Sequence, residues 1–198
     1  MKAFITGSTR TFGFELAKAF ADRGHEIILN GRAKLTFKTN WQYSLCSSQN
    51  LTVAEFEEFQ PGIIVNNAFD KADCLASLAG QINTLEQAIK YFEAYGTGLI
   101  LNINSSMGLM PCVDNPEYAM AKWGLRGYSE SVKFDCFQKG INIVDIYPGA
   151  INIGMGSHRN DKDDLIDAKE LSEFIVTLCD TKKFIVSSIH FNRMGKIK

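Results

Sequence analysis

The 198 residues include 21 basic and 22 acidic side chains, and 45% are hydrophobic, which is typical of one ordinary globular domain. The net charge of −1 provides no basic surplus that would favour nucleic acid as a partner. Five scattered cysteines and three isolated histidines argue against a disulfide framework and a structural metal site. No apolar run reaches membrane-spanning length, and the N-terminus lacks the pattern of a signal peptide. We therefore expect a cytoplasmic protein without a membrane, nucleic-acid or metal partner.

Strand-like and helix-like segments alternate along the chain. Short apolar runs predict strands, and apolar residues at helical spacing with a glycine stop predict helices. The predicted strands are 2–6, 25–32, 61–68, 97–106, 141–149 and 183–191, and the predicted helices are 14–24, 84–96, 118–140 and 167–180. Segment 33–61 is short and leaves little room for a further helix and strand.

The predicted strands are nearly continuous runs of isoleucine, leucine and valine. Such strands, when separated by helices, are typical of a parallel sheet covered on both faces. Right-handed crossovers then leave little choice of topology. The sequence predicts a single α/β domain over residues 1–198, a Rossmann-type doubly wound parallel sheet with helices on both faces. In such a sheet, ligands bind beyond the carboxyl ends of the strands.

A glycine-rich turn follows the first predicted strand. Gly7 comes directly after the strand and Gly13 lies where the next helix begins, in the segment "TGSTRTFG". This arrangement lets the backbone approach a pyrophosphate, and the helix N-terminus adds N–H donors and positive potential. The pattern is imperfect because Thr11 stands where a middle glycine is expected. Taken alone, the turn fits cofactor binding and an ordinary tight turn about equally well.

Two arginines lie near the predicted end of the second strand and the glycine turn. The second strand ends with Arg32 and carries no carboxylate for a ribose 2′-hydroxyl, and Arg10 lies within the turn. Guanidinium groups suit a 2′-phosphate, which they can bind through two parallel hydrogen bonds. We therefore expect NADP(H) to be preferred, with NAD(H) not excluded. The alternative is that each arginine is a solvated surface residue.

The segment "PEYAMAKWG" places Tyr118 and Lys122 four residues apart on one face of a predicted helix. A surface pair is the simple interpretation. The functional alternative is that the ammonium lowers the phenol's pKa from about 10 towards neutrality, where acid–base catalysis is most effective. Two charges about 4 Å apart interact by roughly 4 kcal/mol at an effective dielectric near 20, which corresponds to up to about three pKa units.

Five segments in order resemble the short-chain dehydrogenase/reductase family over nearly the whole chain. They are "TGSTRTFG", "NNA", "NINSSMG", "YAMAK" and "YPG". The resemblance implies an NAD(P)-binding catalytic domain in which Ser105, Tyr118 and Lys122 form the catalytic group, with Asn83 as a loose match to a fourth member. The implied cofactor-binding residues are Gly7, Ser8, Thr9, Arg10, Thr11, Phe12, Gly13, Arg32, Asn67, Ala68, Tyr118, Lys122, Pro148, Gly149 and Ile151.

The sequence also departs from the family pattern. Phe69 stands where the family usually has glycine, and Ile153 replaces a threonine that commonly contacts the nicotinamide amide. Asn83 fits an N-cap before "TLEQ" at least as well as a catalytic residue. The segment 156–164, where the family carries a substrate lid, is short and polar.

Two functions follow from the resemblance. The first is an oxidoreductase (EC 1.1.1.-) that transfers a hydride between NADP(H) and a small carbonyl or alcohol substrate. Tyr118 is then the general acid/base, Lys122 tunes it and Ser105 holds the substrate oxygen. The second is a non-catalytic dinucleotide-binding sensor or scaffold of the same fold. Apolar residues on several faces of the helices, such as Trp123, Leu125 and Tyr128, together with the family's four-helix interface, favour a homodimer or homotetramer.

Overall fold

The computed structural model describes residues 1–32, 35, 38–153, 164–181 and 184–193. Within these residues, seven strands form one sheet in the order β3-β2-β1-β4-β5-β6-β7, and every neighbouring pair is parallel. The strands are β1 (Lys2–Ile5), β2 (Glu26–Gly31), β3 (Gln42–Leu45), β4 (Ile63–Asn66), β5 (Gly98–Ile103), β6 (Ile141–Pro148) and β7 (Ser188–Phe191). The helices are α1 (Thr11–Asp22), α2 (Val53–Phe59), α3 (Cys74–Tyr95), α4 (Pro116–Gln138) and α5 (Ala168–Thr177). The prediction of a parallel α/β sheet is confirmed.

Helices cover both faces of the sheet. Neighbouring residues of β1 point to opposite faces, so Ile5 joins one apolar core and Phe4 the other. The first core contains Leu16 of α1 and Ile175 of α5, and the second contains Leu85 of α3. All five side chains are fully buried. The sequence forms a doubly wound sheet because its strands are apolar on both faces and its helices are apolar on one.

Segment 33–61 holds more regular structure than expected, because it contains both β3 and α2. Both elements are short, with four and seven residues. Thr52 and Glu55 begin the helix, since the Glu55 carboxylate accepts hydrogen bonds from the backbone N–H and hydroxyl of Thr52 at 2.9 and 2.6 Å. Phe56 then packs edge-on against Phe4, with ring centroids 5.0 Å apart. This buried aromatic contact holds a helix that is too short to be stable alone.

Helix α3 begins about ten residues earlier than the sequence predicted. Asp73 caps it by accepting a 2.9 Å hydrogen bond from the backbone N–H of Ala76. Asn83 therefore lies inside the helix, and the interpretation of this residue as an N-cap is wrong. Its side-chain amide donates to the carbonyls of Ser48 and Leu51, both at 2.9 Å. Asn83 thus attaches the segment before α2 to α3.

Among the described residues, no helix has both the length and the apolar content needed to cross a membrane.

Candidate active site

The predicted site residues gather at the carboxyl edge of the sheet. Residues 7–13 follow β1, Arg32 follows β2, residues 67–68 follow β4, Ser105 follows β5, and residues 148–151 end or follow β6. Tyr118 and Lys122 lie in the first two turns of α4. Neighbouring parallel strands bring their carboxyl ends together, so residues far apart in sequence meet at one edge.

The turn between β1 and α1 leaves no room for side chains at two glycines. Gly7 has φ +62°, and a Cβ there would lie 2.8 Å from the Cα of Ala68. A Cβ on Gly13 would clash with the carbonyl oxygen of Gly7. Thr11, which replaces the expected middle glycine, also has a positive φ of 52°. A β-branched residue is strained in this region, so the departure seen in the sequence has a backbone cost.

At Ser8 and Phe12 the side chains are buried, so the turn presents its backbone at these positions. The Ser8 hydroxyl is buried and donates to the Ile5 carbonyl at 2.6 Å, and it accepts from the Asn30 N–H at 3.0 Å. Phe12 is buried in the first core. No acidic residue lies in the first turn of α1, and among the described residues no side chain caps its N-terminus. Such a helix end suits a phosphate group, since N–H donors and positive potential are typical of a helix N-terminus.

Thr6 ties the turn to the segment after β4. Its hydroxyl oxygen accepts the backbone N–H groups of Asn67 and Ala68 at 2.9 and 3.0 Å. The Asn67 side chain donates in return to the Thr6 carbonyl at 3.0 Å. Two of the predicted cofactor residues are thereby fixed against the glycine turn.

Arg32 meets a carboxylate that the sequence did not point to. Arg32 Nη2 lies 3.1 Å from Asp70 Oδ2, and both side chains are largely exposed. Hydrogen bonds from the backbone of Ala72 and from Arg32 hold the pKa of Asp70 below its usual range, and the charge of Arg10 contributes in the same direction. Asp70 follows β4 and reaches Arg32 across β1, because β1 lies between β2 and β4 in the sheet.

The three residues that the resemblance implies as the catalytic group lie near one another in the structure. The Ser105 hydroxyl lies close enough to the Tyr118 phenol to lower its pKa. Asn115 caps α4 by accepting the backbone N–H of Tyr118 at 2.9 Å, which fixes the tyrosine in the first turn. Lys122 lies one turn later, with Nζ 5.9 Å from the centroid of the Tyr118 ring. The three side chains therefore lie together in a buried corner of the sheet edge.

Lys122 is held by buried acceptors. Its Nζ donates to Gln81 Oε1 at 3.1 Å and to the carbonyl of Ile103 at 3.4 Å. Gln81 is fully buried, and its amide nitrogen donates to the carbonyls of Asn66 and Ile103 at 3.4 and 3.3 Å. Nothing in the local sequence pointed to Gln81, and the resemblance favoured Asn83 for the polar helical position. The Asn83 side chain is bonded elsewhere, so the structure does not bring Asn83 to this group.

Burial shifts the pKa of both titratable groups. Tyr118 is 8% exposed and Lys122 is 2% exposed. Burial raises the pKa of Tyr118, and the hydrogen bond from Ser105 only partly offsets this shift. Burial also lowers the pKa of Lys122 to about 7. Burial is the largest cause of both shifts, and the tuning of Tyr118 by Lys122 stays a prediction.

Phe69 and Lys71 cover the tyrosine and lysine. Lys122 Nζ lies 4.1 Å from the centroid of the Phe69 ring, and the Phe69 and Tyr118 rings meet edge to face at 5.4 Å. Lys71 Nζ lies 4.6 Å from the centroid of the Tyr118 ring. The family's usual glycine at position 69 would leave this space open. Phe69 therefore narrows the approach to Lys122.

The last cofactor segment follows β6. Pro148 ends the strand, and Gly149 donates its N–H to the Phe191 carbonyl at 2.8 Å. Ile151 pairs with Ile166, and Ile153 packs against the first core. The predicted short lid at 156–164 lies outside the described residues, apart from its last residue.

Comparison with known proteins finds a matching family model and similar relatives. The short chain dehydrogenase family model matches residues 63–164, which is just over half of the chain. The chain is 28% identical over 191 residues to the 3-oxoacyl-(acyl-carrier-protein) reductase FabG of Chlamydia trachomatis serovar D, covering 80% of this chain and 77% of that protein. It is 27% identical over 183 residues to carbonyl reductase family member 4 of Danio rerio, covering 77% and 76%.

A solved structure has the same fold. A short chain dehydrogenase from Burkholderia cenocepacia J2315, in complex with NADP, superposes with a TM-score of 0.83 at 16% identity. The match covers 98% of this chain and 88% of that chain.

Proposed function

Because the chain belongs to the short-chain dehydrogenase family of NAD(P)(H)-binding oxidoreductases, we propose that it transfers a hydride between NADP(H) and a small carbonyl or alcohol substrate. The observation that carries this proposal is the assembly of Ser105, Tyr118 and Lys122 beside the glycine turn at one sheet edge. The reaction class is EC 1.1.1.-.

Tyr118 is the proton donor in this proposal. A bound NADPH supplies the hydride for the carbonyl carbon. Tyr118 gives its phenolic proton to the carbonyl oxygen, which becomes the hydroxyl of the alcohol, and a phenolate remains. Ser105 donates a hydrogen bond to the same oxygen as charge develops on it. Lys122 in its protonated form stabilises this phenolate, which is the way in which it tunes Tyr118.

The residues around the turn suit the cofactor. Gly7 and Gly13 allow backbone to approach the pyrophosphate, and the uncapped N-terminus of α1 offers N–H donors to it. Arg10 and Arg32 supply two positive charges near the end of β2, which supports NADP(H) over NAD(H). The backbone of Asn67 and Ala68, and of Pro148, Gly149 and Ile151, completes the cofactor side of the site.

A specific observation supports a second candidate, a dinucleotide-binding sensor or scaffold without catalysis. The ammonium of Lys122 faces the Phe69 ring at 4.1 Å, so the space beside it is partly filled by this chain's own side chain. In this second function, the chain would bind NADPH but transfer no hydride.

Paired measurements separate the two functions. NADPH binding is followed by fluorescence, and oxidation of NADPH by absorbance in the presence of a panel of aldehydes, ketones and 3-oxoacyl thioesters. The enzyme proposal expects binding together with turnover of at least one carbonyl compound. Tight binding without turnover across the panel would support the sensor, and absence of both would contradict both functions.

A homodimer or homotetramer in the cytoplasm completes the proposal. Of the helix residues that suggested assembly, Leu125 is buried and Tyr128 bonds to Glu86, so only Trp123 lies on an exposed face. The structure adds further exposed apolar residues on α4, namely Met120, Phe134 and Phe137. These side chains support an interface along α4. A monomeric mass by light scattering at micromolar concentration would contradict it.

A further inference from the structure

We propose that Asp70 limits the preference of this site for NADP(H) over NAD(H), because its carboxylate competes with a 2′-phosphate for Arg32. This inference rests on the proposed function. It concerns Asp70, which follows β4 and lies outside both the glycine turn and the end of β2.

The position of Asp70 is fixed by its own loop. Its backbone N–H donates to the Ser77 hydroxyl at 2.8 Å, and the same hydroxyl donates to the Asp70 carbonyl at 3.0 Å. Asp70 Oδ1 accepts the backbone N–H of Ala72 at 3.1 Å. The remaining carboxylate oxygen, Oδ2, is thereby directed to Arg32 Nη2 at 3.1 Å.

The strand order explains how Asp70 reaches this arginine. Strands β2 and β4 lie on either side of β1, so their carboxyl ends are two strand spacings apart, about 10 Å. A long arginine side chain from one end and an aspartate from the other can bridge that gap. Arg10, in the turn after β1, lies at the strand between them. The carboxylate is charged at neutral pH, since its pKa lies below the usual range.

Charge balance gives the direction of the effect. A 2′-phosphate carries close to two negative charges near pH 7, and the two arginines alone would match it. Asp70 contributes a third negative charge and occupies one face of Arg32. A bound 2′-phosphate must therefore share Arg32 with Asp70 or break the ion pair. A 2′-hydroxyl, by contrast, can donate a hydrogen bond to this carboxylate, as it does to an acidic residue in NAD-preferring sheets. The Arg32–Asp70 ion pair therefore reduces the preference of the site for a 2′-phosphate over a 2′-hydroxyl.

The test compares Asp70→Asn with the wild type by fluorescence titration of NADPH and NADH. Asparagine keeps the Oδ1 acceptor for Ala72 and removes only the charge. The same titrations use 2′,5′-ADP and 5′-AMP, which probe the adenosine end without the nicotinamide. Because the pair is exposed and screened, we expect NADPH and 2′,5′-ADP to bind about three- to tenfold more tightly to the variant, and NADH and 5′-AMP to bind equally or more weakly.

Two control variants test whether the change in affinity comes from the Asp70–Arg32 ion pair. Asp22→Asn removes the same charge at the opposite end of α1, and it should leave all affinities unchanged. In an Arg32→Gln background, the gain from Asp70→Asn should shrink, because the competition requires Arg32.

Weaker or unchanged NADPH binding in Asp70→Asn would overturn the inference, and so would an equal gain in Asp22→Asn. If neither dinucleotide binds the wild type or the variant, the proposed cofactor use fails, and the inference fails with it. If only the inference fails, the wild type still binds the dinucleotides. Failure of the inference can therefore be distinguished from failure of the proposed cofactor use.

Discussion

At the same sheet edge, the corner around Tyr118 and Lys122 and the corner around Arg32 and Asp70 are built in opposite ways. Tyr118, Lys122 and Gln81 are buried, and each polar atom of the lysine and glutamine side chains has a partner inside the protein. Arg32 and Asp70 are largely exposed and meet through one ion pair. Electrostatic effects are large where water is excluded and weak where it is present. Substitutions in the buried corner should therefore have much larger effects than those in the exposed corner.

The largest expected effect is that of Tyr118→Phe on turnover. This change removes one hydroxyl and keeps the ring that packs edge to face on Phe69. Proton transfer by a positioned group contributes about 10²–10⁴-fold, so carbonyl reduction should fall by that range. NADPH affinity should change little.

Tyr128→Phe is the matched control for this variant. It removes a hydroxyl from the same helix, where the phenol donates to Glu86 at 2.8 Å outside the site. Turnover of this control should stay near the wild-type rate. Wild-type turnover by Tyr118→Phe would end the assignment of the proton donor.

The next effect concerns stability and the buried charge of Lys122. Its pKa of about 7 lies below the ordinary lysine value, so the unfolded chain binds one more proton between about pH 7 and 10. A rise in pH through this window therefore favours the folded state, by an amount on the order of 1 kcal/mol per pH unit. In Lys122→Met this contribution is lost. The free energy of unfolding of the wild type, minus that of the variant, should thus increase from pH 7 to 9.

Urea unfolding of both proteins at several pH values measures this difference. Subtracting the variant cancels the titration of other groups, such as the buried thiols. A difference that stays constant with pH, or falls as pH rises, would contradict a neutral buried lysine.

A smaller effect is expected at Gln81, which positions Lys122. Gln81→Leu removes the 3.1 Å acceptor and leaves only the 3.4 Å contact to the Ile103 carbonyl. Without this acceptor Lys122 would be misplaced relative to Tyr118, and turnover should fall by about ten- to a hundredfold. Gln81→Glu instead places a negative charge beside the ammonium and should raise the pKa of Lys122.

The pH profile separates positioning from a purely structural role. Turnover that depends on protonated Lys122 should persist to higher pH in Gln81→Glu than in the wild type. Equal losses at every pH in both variants would show that Gln81 only supports packing.

Much of the fold and part of the site could be predicted because their signals are local. Continuous apolar strands and glycine stops predicted the sheet, and the four-residue spacing of Tyr118 and Lys122 placed both on one helix face. The roles of Gln81 and Asp70 could not be predicted, because each meets its partner through tertiary packing. The pKa shifts of Tyr118 and Lys122 could not be predicted for the same reason, since burial is their largest cause and tertiary packing sets the burial.

The smallest expected effect lies in the exposed turn, at Thr11. Its φ of 52° is costly for a β-branched residue, by about 1–2 kcal/mol, and glycine would relieve this strain. Glycine also loses more backbone entropy on folding, about 0.5–1 kcal/mol, which offsets part of the gain. Thr11→Gly should therefore raise the free energy of unfolding by up to about 1 kcal/mol.

Thr11→Ala is the control, because alanine removes the β-branch but keeps the Cβ that opposes a positive φ. Its gain should be smaller than that of glycine. Gly7→Ala tests the same turn in the opposite direction, since φ is +62° there and the new Cβ would lie 2.8 Å from the Ala68 Cα. Denaturant midpoints of the three variants should rank Thr11→Gly highest and Gly7→Ala lowest. If Thr11→Gly is less stable than Thr11→Ala, the positive φ is not the source of strain, and the threonine must be held by contacts within the turn.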